Sequence, residues 1–307
     1  MASPEAEALK QMMRQFREAT LGAPDAAPPT VDEQRAGSAA GMEAMGVMPA
    51  GVTITETTVA DGIFALDIVP TGAVTDRVVL YLHGGGYVVL SPHTHAKLAA
   101  GIAVAAGCRV VSIDYRLAPE HPHPAAVTDA LAAYRWLLDQ GYEPHQVAIS
   151  GDSAGGGLTM ATLLAARAAG VPQPAAAVPL SPWVDLEGTG ETMDTKSDVD
   201  LMVDRGGLKL MADMFVAGGD IRDPLAAPLY GDLTGIAPLY IQVGGDETLL
   251  DDSTRLAAIA ARAGVEVRLD VFPEMQHVFQ TGLGMIPEAD DAIARIGQYL
   301  RAKLAIV

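Results

Sequence analysis

Two runs near the start of the chain, 52–59 (VTITETTV) and 62–69 (GIFALDIV), alternate between apolar and polar positions. Period-two alternation marks strands with one covered face, and two such runs so close together are expected to pair antiparallel at a sheet edge. Further β-rich runs follow at 77–82 (RVVLYL), 109–113 (RVVSI), 146–150 (QVAIS), 175–180 (AAAVPL), 238–243 (PLYIQV) and 265–272 (VEVRLDVF), several of them apolar on both faces. Between and after these lie helical patterns near 94–106, 125–140, 154–169, 252–263 and 286–303. Strands with two apolar faces alternating with helices predict an α/β fold: a mostly parallel, eight-stranded sheet covered by helices on both faces. In such folds ligands sit at the carboxyl ends of the strands.

Two regions break that rhythm. Residues 1–50 read as two helices separated by GAPDAAPP, and 182–237 separates two strands by far more than an ordinary α/β connection. The insertion contains GLKLMADMFVAG, which places Leu208, Met211 and Phe215 on one helical face. The expected division is therefore an α/β core, 51–181 and 238–307, with a helical cap built from an N-terminal part, 1–50, and an insertion, 182–237. Met12, Met13, Met42, Met45, Met48, Met202, Met211 and Met214 all fall in the two cap pieces. Methionine is flexible and polarizable, so it suits a surface that meets varied apolar ligands, although it packs helices together equally well.

Composition narrows the partners. Half of the 307 residues are hydrophobic and 19% are charged, enough for a large core. Twenty basic against 38 acidic residues give a formal charge of −18, which repels nucleic acid and anionic lipid and leaves a small molecule as the expected partner. The N-terminal stretch is interrupted by charges and lacks the apolar run of a signal peptide, and no segment approaches the roughly 20 apolar residues of a membrane span. A soluble, cytoplasmic protein without membrane insertion is expected; whether it pairs as a homodimer is left open. The single Cys108 sits in a strand-like GCRVVSID, where a small buried hydrophobe is expected.

The sharpest chemical signal is VAISGDSAGGGL, 147–158. Gly151 and Gly155 flank Ser153 at a strand-to-helix reversal, a turn that exposes the serine hydroxyl. A serine attacks only when a base takes its proton. Of seven histidines, His277 follows the last strand in FPEMQHVF, at the end of the sheet where the loops converge. Asp246, directly after a strand in YIQVGGDETLLDD, is the expected orienting acid; Asp251, Asp252 and Glu274 compete for that role. The order Ser153, Asp246, His277 is the order of α/β-hydrolase triads. LYLHGGGYVV offers backbone N–H groups at Gly84, Gly85 and Gly86 for an oxyanion hole, with Ala154 supplying another donor. No Lys-Ser/Thr pair follows these glycines, which speaks against a phosphate loop. His83 is expected to brace that loop. The pairs His93-x-His95 and His121-x-His123 lack partner ligands at productive spacing, so no metal is assigned.

Taken together, HGGGYV, DYRLAPEHPHPAA at 114–126, GDSAGGG, SPWVDL at 181–186, GGDETLLDD and the distal histidine resemble the hormone-sensitive-lipase-like family of bacterial esterases and lipases, in its GDSAG branch. The resemblance implies an α/β-hydrolase core with a cap and a carboxylesterase acting on short- to medium-chain acyl esters without a cofactor. It implies Gly85, Gly86 and Ala154 as oxyanion donors with Gly84 in support, and places Tyr115, Arg116 and Glu120 near the site. The family often carries a proline straight after the catalytic acid; here Glu247 and Thr248 follow Asp246. Tyr87, Trp183, Met211 and Phe215 are candidates for lining the substrate pocket. A lactone hydrolase or other specialised ester hydrolase, a peptidase or amidase using the same triad, and a non-catalytic ligand-binding protein on the same scaffold are the alternatives.

Overall fold

The computed structural model describes residues 1–20 and 29–307; most of the GAPDAAPP connection lies outside the described residues. Eight strands form one sheet: β1 (Val52–Val59), β2 (Ile63–Pro70), β3 (Val74–Leu82), β4 (Cys108–Ile113), β5 (Val147–Asp152), β6 (Ala176–Leu180), β7 (Leu239–Gly244) and β8 (Val267–Phe272), in the order β1-β2-β4-β3-β5-β6-β7-β8. β1 and β2 pair antiparallel as the alternating pattern predicts, in register from Val52 opposite Pro70 to Val59 opposite Ile63. β2 also meets β4 antiparallel; every later pairing is parallel. β3 begins earlier than its apolar pattern predicts, because an irregularity between Val74 and Val78 lets polar residues join the strand.

The strand period explains the two-sided core. Val78, Leu80 and Leu82 of β3 face one side, packed with α4 (Ala125–Asp139), α5 (Ala154–Ala168) and α8 (Leu250–Arg262). Val79 and Tyr81 face the other, packed with α3 (Ala96–Ala106) and α9 (Pro287–Lys303). Because helices cover both faces, residues of either parity are apolar, and each fully buried aliphatic side chain contributes about 1.5–3 kcal/mol. Cys108 opens β4 as a buried free thiol, and burial pushes its pKa up to about 12, which keeps it protonated and unreactive.

The regions that break the α/β rhythm form α1 (Pro4–Thr20), α2 (Val31–Glu43), a short α6 (Thr192–Thr195) and α7 (Arg205–Val216). Thr30 caps α2 through a reciprocal capping box with Glu33, and Asp204 caps α7 by accepting from Gly206 and Gly207 N–H. α2 is tied to the core by Arg35, which reaches Val88 O, Ala118 O and the Glu120 carboxylate. Among the described residues no helix is long and apolar enough to cross a membrane.

Candidate active site

β5 runs into α5 through a turn whose tip is Ser153, held at φ 54°, ψ −121°, a conformation a non-glycine residue adopts only under constraint from its surroundings. The neighbouring glycines are the condition for that turn. A Cβ on Gly151 would meet Gly155 O and Leu82 O, and one on Gly155 would run into the backbone of Leu82 and His83. The constraint is fixed from both sides: Ser153 N–H donates to Leu180 O at the end of β6 at 2.8 Å, and Trp183 N–H donates to Ser153 O at 2.9 Å.

His277 lies in the loop after β8, buried, and lines the same cavity of about 200 Å³ as Ser153. Its Nδ1 is 2.8 Å from Glu247 Oε2. A carboxylate can only accept, so Nδ1 carries the proton and Nε2 is the free basic nitrogen. Glu247 is fully buried, and its other oxygen accepts from Ser181 Oγ at 2.7 Å and Gly244 N–H at 2.5 Å. Burial of the imidazole pulls its pKa down, but the charge and hydrogen bond of Glu247, with the charges of Asp200 and Asp152, outweigh that, and the pKa lies above the ordinary 6.5.

This geometry corrects the expected acid. Asp246 does not reach His277; its carboxylate lies 3.6 Å from Lys196 Nζ. After β7 ends at Gly244 the chain turns, with Gly245 N–H on Phe272 O and Asp246 N–H on Met275 O. That turn points Asp246 outward and folds the longer side chain of Glu247 back under the strand end. The other candidates are also placed elsewhere: Asp251 accepts from Thr192 N–H, Asp252 from Val184 and Asp185 N–H, and Glu274 from Ala2 N–H.

The glycine loop follows β3. Gly84 N–H donates to Asp152 Oδ1 at 3.1 Å, so it is not aimed at the cavity, which corrects its place among the donors. Gly85 and Gly86 line the cavity in positive-φ conformations, 112° and 61°. A Cβ on Gly86 would collide with Met211 Sδ, so α7 packs directly onto this loop. His83 is buried, its ring stacked on Tyr115 at 4.3 Å; burial drives its pKa down to about 3, so it is neutral and its Nδ1–H donates to Gly84 O at 2.7 Å. Tyr115 OH donates to His83 O at 2.7 Å, whereas Arg116 pairs with Asp129 and Glu120 with Arg35.

Asp152, the residue before the serine, carries no mark in the sequence that predicts its role. Its buried carboxylate accepts from Tyr81 OH at 2.6 Å, Gly84 N–H and His95 Nε2 at 3.2 Å. Burial raises this carboxyl, but the charge and hydrogen bond of His95, the Tyr81 hydroxyl and the nearby His83 together outweigh it, leaving it below the ordinary value. His95 is thereby paired within the core, while His93 approaches Glu56 at 3.7 Å and His123 approaches Asp223 at 3.1 Å.

Met42 from α2, together with Met202, Val203, Leu208 and Met211 from the insertion, completes the cavity wall. Of the expected pocket residues only Met211 lines it. Tyr87 and Phe215 stack at 3.8 Å with Trp183 beside them, all three buried as core between α7 and the sheet.

A sheet of this order with a serine elbow, a buried histidine–carboxylate pair and a glycine loop at its carboxyl end defines an α/β-hydrolase. The family model described as alpha/beta hydrolase fold matches residues 79–281. An acetyl-hydrolase of Streptomyces hygroscopicus is 42% identical over 98% of this chain and 97% of its own, and an esterase of Acinetobacter venetianus is 34% identical over 73% and 74%. The crystal structure of an esterase from the bacterial hormone-sensitive lipase family is 45% identical, with a TM-score of 0.93 over 99% of both chains. The chain belongs to the α/β-hydrolase family, in its bacterial hormone-sensitive-lipase-like group of esterases, and is a carboxylic ester hydrolase.

Proposed function

We propose that the protein is a serine carboxylesterase that works through Ser153, His277 and Glu247 and an acyl-enzyme. The observation that carries this is the buried Glu247–His277 contact, with His277 lining one cavity with a serine held at a strained elbow. His277 Nε2 takes the Ser153 proton as Oγ attacks the ester carbonyl, and Glu247 holds the ring in the tautomer that leaves Nε2 free. Gly85, Gly86 and Ala154 N–H groups receive the oxyanion, and the Asp152 contact to Gly84 holds that loop beside the elbow. His277 then protonates the leaving alcohol, and water hydrolyses the acyl-enzyme by the same proton path.

The cavity of about 200 Å³ is smaller than the roughly 300–1,000 Å³ that encloses drug-sized ligands, which favours short to medium acyl groups. Residues 1–50 and 182–237 act as the cap, supplying the methionine wall. Hydrolysis of p-nitrophenyl esters from acetate to palmitate, with Ser153→Ala beside the wild type, tests the reading. Turnover that peaks at short or medium chains and vanishes in the variant supports it; turnover that survives Ser153→Ala refutes it.

A further inference from the structure

Asp200 belongs to the insertion, is fully buried, and spends both carboxylate oxygens on backbone and hydroxyl donors. One oxygen accepts from Met202 N–H and Val203 N–H, each at 2.9 Å. The other accepts from Thr248 N–H at 2.8 Å and Thr248 Oγ1–H at 2.9 Å. Thr248 immediately follows Glu247, and its carbonyl is held in turn by Thr192 Oγ1 at 2.8 Å, so the insertion grips that residue by both ends of its backbone. The residues flanking Asp200 grip the other catalytic loop: Leu201 N–H donates to Gln276 Oε1 at 2.8 Å and Gln276 Nε2 donates to Val199 O at 3.1 Å. Gln276 immediately precedes His277. Arg17 of α1 adds a bond to Asp200 O at 2.5 Å.

We propose that Asp200 is a positioning residue for the reaction: from the insertion it sets the loop bearing Glu247 directly, through Thr248, and its own loop sets His277 through Gln276. The inference rests on the Glu247–His277 reading of the active site. Glu247 and His277 sit on two loops after β7 and β8 that meet through Gly245 N–H on Phe272 O and Asp246 N–H on Met275 O; these bonds stop one residue short of Glu247 and two short of His277, and the residues beside the pair, Thr248 and Gln276, are held from the insertion. The 199–203 segment bonds to both loops at once, so it acts as the common template. The same carboxylate orders Met202 and Val203, which line the substrate cavity, and so ties the cavity wall to the catalytic pair.

The carboxylate has a second effect. The charged groups facing His277 are Glu247 from the loop after β7, Asp200 from the insertion and Asp152 from the elbow, and all three favour the imidazolium. Lys10 of α1, which is paired with Glu7, and Glu274 of its own loop line a second, small cavity that His277 also borders. Removing the Asp200 charge therefore lowers the pKa of His277 and moves the acid limb of kcat/KM to lower pH, a change that loss of packing alone does not produce.

The test compares Asp200→Asn, Thr248→Val, Thr248→Ser and Glu247→Gln by steady-state kinetics on p-nitrophenyl butyrate across pH, with thermal unfolding alongside. In Asp200→Asn an amide NH2 faces backbone N–H donors, and kcat should fall roughly 10- to 100-fold, the cost of misplacing catalytic groups by about an ångström, while the acid limb moves down. Thr248→Val, which removes only the hydroxyl donor, should lower kcat several-fold without moving the limb, and Thr248→Ser should restore it. Thr248→Val at wild-type kcat, or Asp200→Asn with wild-type kcat and limb despite a lowered Tm, overturns the proposal while a dead Glu247→Gln leaves the catalytic pair standing. Full turnover in Glu247→Gln removes the reading beneath it, and the proposal with it. If Asp200→Asn does not fold, the two Thr248 variants decide.

Discussion

Glu247 and Asp246 are neighbours in sequence, yet Glu247 Oε2 lies 2.8 Å from His277 Nδ1 while Asp246 faces Lys196 at 3.6 Å. The turn after Gly244 sends the two side chains in opposite directions, and only the one folded inward can fix the imidazole tautomer. Glu247→Gln should therefore lower kcat by about 10³- to 10⁴-fold, the scale on which a mis-set tautomer costs a triad enzyme, with secondary structure retained by circular dichroism. Asp246→Asn breaks only a partly exposed ion pair and should stay within about threefold of wild type. Equal losses in both variants would show that the acid's identity is not decided by this contact.

The same contact sets the pH dependence. Burial alone would depress His277, but Glu247, with Asp200 and Asp152 behind it, more than offsets it and the pKa stands above 6.5. His277 must be neutral to accept the serine proton, so kcat/KM rises as pH climbs through that raised pKa. The expected result is an acid limb with its midpoint above 6.5, measured on an ester whose own hydrolysis is flat in that range. A midpoint below 6.5 would mean that the imidazole does not feel the carboxylate.

What the sequence discloses and what it hides have separate physical causes. Strands such as β5 and β7 are legible because both faces are covered, so every residue of VAIS and LYIQV reports burial directly. Ser153 and the glycine loop are legible because the turn tolerates no Cβ at Gly151 or Gly155, a local requirement that leaves a local mark. Glu247 is not, because which of two adjacent acids turns inward depends on where β7 stops and on contacts from Ser181, some 66 positions away. Asp152, His95 and Asp200 are hidden for the same reason: each is defined by partners distant in sequence. Phe215 illustrates the opposite error. Its helical spacing with Met211 is real, but the face it shares turns partly toward Tyr87 and the core and not toward the cavity.

His95 and Asp152 form a buried pair under the glycine loop, and its dissolution should be visible in stability. Burial lowers the His95 pKa but Asp152 raises it further, to a net value above 6.5 in the folded state. A raised folded pKa contributes stability that is complete below the unfolded value and disappears as pH rises through the folded one. The depressed Asp152 contributes above its unfolded pKa and is lost as pH falls through its folded value. His95→Gln should therefore cost about 3–5 kcal/mol in urea unfolding between the unfolded pKa of the carboxyl and the unfolded pKa of the histidine, where the contribution of both groups is complete. The gap to wild type should narrow in alkaline solution. A difference that does not change with pH would show that the two side chains meet uncharged.

Met211 and Phe215 lie one helical turn apart in α7, yet they should fail in different ways when truncated. Met211 lines the cavity and rests its sulfur on Gly86, so Met211→Ala opens space beside the oxyanion loop at little cost to the core. Its preferred acyl chain should lengthen across a p-nitrophenyl ester series, while its unfolding midpoint stays near wild type. Phe215 is 1% exposed and stacked on Tyr87, so Phe215→Ala leaves a void that neighbours fill only in part. That substitution should cost about 3–5 kcal/mol of stability without changing the preferred chain length at a temperature where the variant is folded. A longer preferred chain in Phe215→Ala, with none in Met211→Ala, would mean that acyl groups enter between Tyr87 and Trp183, behind the cavity wall, and not under the methionines.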